Sequence, residues 1–228
     1  MRFESSTSGG RRITAFNAPA DYAPLLRGIG FEPDAEATSF TWRFPDDAPS
    51  WEAVARNWPA QGRQFIDQVV GVELPDWPGA LEWIADAAED VGADWFLLGS
   101  AGLAVRGVDV RPGGVDIGMD EAGADRLGAR AVAEVMQPIA PTHGWPVSTR
   151  YGRLFHAAPI QVVGGILDRD WPSPWDSQGR GELDSITWRD RTIRVTSLDR
   201  EVQHARRMAR YDHARAIVRY RAESGTLH

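Results

Sequence analysis

A chain of 228 residues, 43% hydrophobic and 25% charged, is long enough to bury a substantial core and too apolar to stay disordered. Cysteine is absent and all 25 basic residues are arginines, which excludes thiolate metal sites, thiol nucleophiles, a Walker lysine and a Schiff-base lysine. The net charge of −7 argues against general nucleic-acid binding, and the lack of any run of about 18 apolar residues argues against a membrane span. With no signal-peptide core in "MRFESSTSGGRR", a cytoplasmic protein is the expectation.

In chain order, "RRITAF" and "TSFTWRF" alternate like half-buried strands, with "DYAPLLRGIGF" between them as a short helix ended by glycine. "PDDAPSWEAVARNW" opens a second helix. These make residues 1–75 a small α+β extension, and "VELPDWPGALEW", with Pro75 and Pro78 around Trp77, marks the joint to a core over residues 76–228. The helix "GALEWIADAAEDVGA" carries Leu81, Ile84, Ala85, Ala88 and Val91 on one face. A strand "WFLLG", a short helix from "SAGLAVRG", a loop, the strand "VDIGM" and a helix from Glu121 through Met136, closed by Pro138, follow. The remainder reads as strands "RLFHA" and "PIQVVGGI", a hairpin of "LDSITW" and "TIRVTS", and one or two C-terminal helices.

Chemistry concentrates where a strand ends in Gly99-Ser100 and opens a helix. Such a turn aims free backbone N–H groups and the positive end of the helix dipole at whatever lies above it, which suits a phosphate. Gly99 permits close approach, and Ser100 either caps the helix or bonds a phosphate oxygen. On the next strand, side chains alternate, so positions 114, 116 and 118 share a face, and Asp116 is the acid on it.

The stretch "LLGSAGLAVRGVDVRPGGVDIGMDEAGADRL" resembles the core of the polymerase-beta-type nucleotidyltransferase superfamily, in which Gly-Ser precedes an Asp-x-Asp strand. The resemblance covers roughly residues 80–220. It implies an α+β fold: a mixed β-sheet packed by helices, with the N-terminal extension and C-terminal helices added. It aligns the family's first acid with Gly114, its second with Asp116 and its third, in "IQVVGG", with Gln161. Asp116 is therefore the residue assigned to catalysis and metal, with Mg²⁺ held weakly. Gly99, Ser100, Arg106 and Gln161 are assigned to ligand. Two-metal phosphoryl transfer needs carboxylates to hold two ions about 4 Å apart, and a glutamine carbonyl carries neither charge nor basicity.

Asp109 reads as a structural loop acid, and Asp120 and Glu121 lie past the strand, with Glu121 suited to the first helical turn. His143 and His156 lack a ligand partner at metal spacing. Trp171 and Trp175, in the loop "DRDWPSPWDSQGRGE", suit either packing or stacking on a ligand, and are assigned to ligand here. Arg200, Arg206, Arg207, Arg210, Arg215, Arg219 and Arg221 form either a solvated face or an anion site through which RNA could bind. Three readings stay open. The first is a nucleotidyltransferase-fold protein with a degenerate metal site that binds a nucleotide or other small molecule, or performs metal-independent chemistry. The others are an active Mg²⁺-dependent transferase acting on a small molecule or RNA, and a partner-binding half of an antitoxin-like pair.

Overall fold

The computed structural model describes residues 1–36, 38–142, 148–166 and 183–225. The N-terminal region forms an antiparallel four-stranded sheet in the order β1-β2-β4-β3, from β1 (Arg2–Ser6), β2 (Arg12–Phe16), β3 (Glu32–Pro33) and β4 (Ser39–Arg43). The sequence pattern anticipates β2 and β4. It hides β1, whose only buried side chain is Phe3, too little to generate an alternation. Helix α1 (Ala23–Ile29) stops at Gly30, which adopts φ 113°. Helix α2 (Trp51–Val69) packs on β1.

The larger sheet has seven strands in the order β10-β11-β5-β6-β9-β8-β7. They are β5 (Trp95–Leu98), β6 (Val115–Met119), β7 (Val135–Pro141), β8 (Ser148–His156), β9 (Ala158–Ile166), β10 (Leu183–Trp188) and β11 (Arg191–Thr196). The sheet is mixed: β11 runs parallel to β5 and β6 parallel to β9, and every other pair is antiparallel. Alternation along β5, β6 and β9 sends Leu97, Ile117 and Val162 into the main core, under α2, α3 (Trp77–Asp90) and α5 (Glu121–Arg130). The opposite face carries Phe96, Leu98 and Ile166 as a small separate cluster. Helices α4 (Gly99–Ala104), α6 (Leu198–Arg207) and α7 (Tyr211–Ser224) meet through Leu103, Val202 and Ile217. Among the described residues no helix is long and apolar enough to cross a membrane.

One expectation changes, and a second feature bears on the joint near residue 75. The helix expected to run to Met136 ends at Arg130, and after one 3-10 turn the chain becomes β7, with Pro138 inside it. Proline is tolerated there because β7 is an edge strand, paired only with β8 and shifted in register on both sides of Gln137. At the joint, Asp76 does cap a new helix, its carboxylate accepting the Gly79 N–H at 3.1 Å. Packing, however, continues across the joint, since one hydrophobic cluster runs from Phe3 through Trp58 and Ile84 to Val195. Helix α2 also covers the free edge of β7: Asn57 Nδ2 donates to the carbonyls of Ala133 and Val135 at 2.9 and 2.8 Å, and Trp58 Nε1 donates to that of Met136 at 2.7 Å.

This docking yields a prediction. Asn57→Ala leaves two carbonyls without their donor in a buried setting and should lower stability by about 2–4 kcal/mol. Because the core is shared, urea unfolding should remain a single transition by both tryptophan fluorescence and far-UV dichroism; two separated transitions would contradict the shared core.

Candidate functional site

The candidate site lies where β5 turns into α4, on the sheet face away from the main core. Strand register sets four residues side by side on adjacent strands: Leu98 on β5, Asp116 on β6, Gln161 on β9 and Arg153 on β8. Gly99 must be glycine twice over. Its φ is 61°, and a Cβ there would stand 3.0 Å from Asp116 Oδ2. The start of α4 and the acid on β6 are therefore nearly in contact.

Asp116 is half-buried, and no described residue hydrogen-bonds to its carboxylate. Burial pushes its pKa up to about 6; Arg210 opposes that rise and the nearby Glu201 reinforces it. Glu201, in the first turn of α6, is only 3% exposed. Its Oε1 accepts the Gly99 N–H at 3.0 Å and the Thr196 hydroxyl at close range. Burial raises its pKa as well, opposed by those two hydrogen bonds and by the charges of Arg106 and His213. The sequence reading did not find Glu201. An acid in the first turn of a surface-looking helix is the ordinary complement to the helix dipole and carries no mark of a site.

Each residue assigned from sequence has a definite place. The Gly99 N–H, expected to face a phosphate, is occupied by Glu201. Ser100 does not cap α4, whose cap position is Leu98, without a side-chain hydrogen bond. Arg106, assigned to ligand, has a side chain only 6% exposed, and its Nη2 donates to Asp184 Oδ2 and the Thr196 carbonyl, each at 2.6 Å. Gln161 stands beside Asp116, exposed, its Oε1 accepting the Tyr151 hydroxyl at 2.7 Å. The Tyr151 ring lies under the Arg153 guanidinium, 5.1 Å from centroid to carbon. Burial raises the Tyr151 pKa and Arg153 opposes it. Trp171 and Trp175, with His143 and Trp145, lie outside the described residues.

The position aligned with the family's first acid is closed sterically. Gly114 precedes β6, and a Cβ there would lie 2.4 Å from the Pro159 carbonyl oxygen. No side chain fits without moving the β6–β9 ladder. The neighbouring acids are engaged elsewhere. Asp120 caps α5, accepting the Gly123 N–H at 2.6 Å, and Glu121 accepts the Thr149 hydroxyl and pairs with Arg150. Asp109 is exposed, and His156 stacks on Trp83 with ring centroids 4.8 Å apart. Among the described residues no three acidic or histidine side chains lie where they could share a metal ion. The described donors therefore do not fit a pair of divalent ions. They do offer one accessible carboxyl, titrating near neutrality, beside a second acid that is fully enclosed.

No protein-family model and no curated protein matches the chain. Two solved structures resemble it. One is a Thermotoga maritima protein assigned as a nucleotidyltransferase, 17% identical, with a TM-score of 0.46 over 67% of this chain and 99% of that one. The other is the lincosamide antibiotic adenylyltransferase LnuA with lincomycin bound, 14% identical, with a TM-score of 0.44 over 60% of this chain and 93% of that one.

Two outcomes follow from the geometry. The folded protein keeps the Asp116 proton up to about pH 6, whereas the unfolded chain releases it near the ordinary 3.8, so Asp116 destabilises the fold progressively as pH rises through that window. Asp116→Asn should therefore melt about 2–6 °C above wild type at pH 8 and coincide with it below about pH 4, by calorimetry. Gly114→Ala, with its Cβ against a backbone carbonyl, should cost about 1–3 kcal/mol in denaturant unfolding; an unaffected midpoint would mean that the β6–β9 approach is looser than described.

Proposed function

We propose that this chain is a nucleotidyltransferase-type protein whose cleft binds a nucleotide or another small molecule without two-metal phosphoryl transfer. The Gly-Ser turn, the acid-bearing strand beside it and the "IQVVGG" strand in register with that acid support the family reading. The observation that carries the rest is that Asp116 is the one acid on the adjacent strands β5, β6, β9 and β8. Gln161 stands where a partner carboxylate would be, and Gly114 has no room for one. A magnesium ion, if present, would have Asp116 as its protein carboxylate and would depend on the ligand's own oxygens for further charge.

The residues support a division of labour. Asp116 accepts a hydrogen bond or a proton from the ligand, since its carboxyl is only half-buried and has no hydrogen-bond partner among the described residues. Tyr151 and Gln161, already hydrogen-bonded to each other, form one polar wall, and Leu98 and Phe96 supply apolar floor. Glu201 holds the β5–α4 turn. The Glu201 Oε1 is committed to the Gly99 N–H and the Thr196 hydroxyl.

The test is a comparison of wild type and Asp116→Asn with ATP, GTP and their non-hydrolysable analogues, with and without Mg²⁺. Under this reading, radiolabelled nucleotide is not incorporated into protein, RNA or small-molecule acceptors by either form. Nucleotide binding, where calorimetry detects it, changes less than threefold on adding Mg²⁺. Metal-dependent incorporation that falls tenfold or more in Asp116→Asn would replace this reading with that of an active transferase.

A further inference from the structure

Helices α6 and α7 leave a groove of about 500 Å³ between them, lined by Arg206, Tyr211, Ala214, Arg215 and Val218. Tyr211 and Val218 are 58% and 53% exposed, and Met208, at the end of α6, is 54% exposed. Ile217 faces inward, against Leu103 and Val202. The spacing of Tyr211, Arg215 and Val218 follows the helical repeat, so α7 turns Tyr211 and Val218 outward on one stripe about 10 Å long, with Arg215 between them. Arginines border that stripe. Arg206, Arg215 and Arg219 enter no ion pair among the described residues, whereas Arg106, Arg130, Arg150, Arg189, Arg191 and Arg221 all do.

We propose that this groove docks an acidic amphipathic helix of a protein partner. Its apolar side chains rest on Tyr211 and Val218, and its carboxylates meet Arg206, Arg215 and Arg219. The lining decides between candidate occupants. Phosphate recognition by arginine needs no exposed aliphatic surface, whereas Val218 and Met208 offer a helix face the apolar anchors it requires, in the mode of a helix laid into a groove. A second copy of this chain is poorly matched. Its strongly acidic helix, α3, already spends Glu82, Asp86 and Glu89 on Arg189 and Arg191 of the same chain.

The full chain is titrated by fluorescence anisotropy with three probes. One is a labelled 18-residue helical peptide bearing leucines at i, i+3, i+4 and i+7 with flanking glutamates, the second the same peptide with glutamine for glutamate, and the third a 20-nucleotide single-stranded RNA. The glutamate peptide should bind at least tenfold more tightly than the glutamine peptide and weaken as NaCl rises from 50 to 300 mM. Val218→Glu and the double variant Arg206→Glu with Arg215→Glu should each lower that affinity at least tenfold at unchanged melting temperature. Val218→Ser, which shortens the side chain without adding charge, should lower it in the same direction. The proposal is overturned by any of four results: no binding of the glutamate peptide, equal binding of the two peptides, variants that bind like wild type, or RNA binding more tightly than the peptide and lost in the arginine variant. Sedimentation equilibrium revealing a dimer that Val218→Glu dissolves would instead assign the groove to a second copy.

Discussion

The buried carboxylate of Glu201 ties the site together. A charge at 3% exposure costs several kcal/mol of lost hydration unless polar groups replace the water. Here the Gly99 N–H and the Thr196 hydroxyl do so, with Arg106 supplying positive charge from behind. Arg106 is held in turn by Asp184 and the Thr196 carbonyl. One side chain thereby fixes the end of β11, the start of α4 and the first turn of α6 against each other. It also keeps a negative charge close to Asp116, which helps to hold that carboxyl near pH 6 and not in the ordinary carboxylate range.

This arrangement alters the chemistry that the local sequence suggests. A glycine-serine turn at a helix start invites an anion, but the amide at Gly99 already has one, supplied by the protein. Immediately beside it, the β6–β9 approach at Pro159 forbids a side chain at Gly114, and Tyr151 engages Gln161. Asp116 itself accepts no hydrogen bond from the described residues and is flanked by polar groups on one side and apolar residues on the other.

Away from the cleft, the N-terminal region contributes a wall and an edge cover. The same helix that packs on β1 satisfies carbonyls along β7 through Asn57 and Trp58, so the small sheet and the large one share a core. Arg153 reinforces that junction, donating to the Ile29 carbonyl and to Gln137 Oε1 while its guanidinium lies over Tyr151. A residue of the candidate site is thus braced by the end of helix α1. At the other end, α7 buries Ile217 but leaves Tyr211 and Val218 open, and arginine charge gathers beside them.

The sequence by itself determined the α+β class, the strand-turn-helix at Gly99, the place of Asp116 on a strand face and that of Gln161 on a later strand. Each of these depends on local periodicity or on residues close together in the chain, where period-2 and period-3.6 patterns and glycine positions speak directly. It could not reveal β1, which buries one side chain, nor that the segment around Pro138 is an edge strand and not a helix, because both depend on which element lies alongside. Only the tertiary structure brought Glu201 to Gly99, 102 residues away, set Arg106 against Asp184 and the Thr196 carbonyl, and set the Pro159 carbonyl against Gly114. Burial, hydrogen-bond partners and pKa are properties of contacts between distant segments, and the distance along the chain carries no record of them.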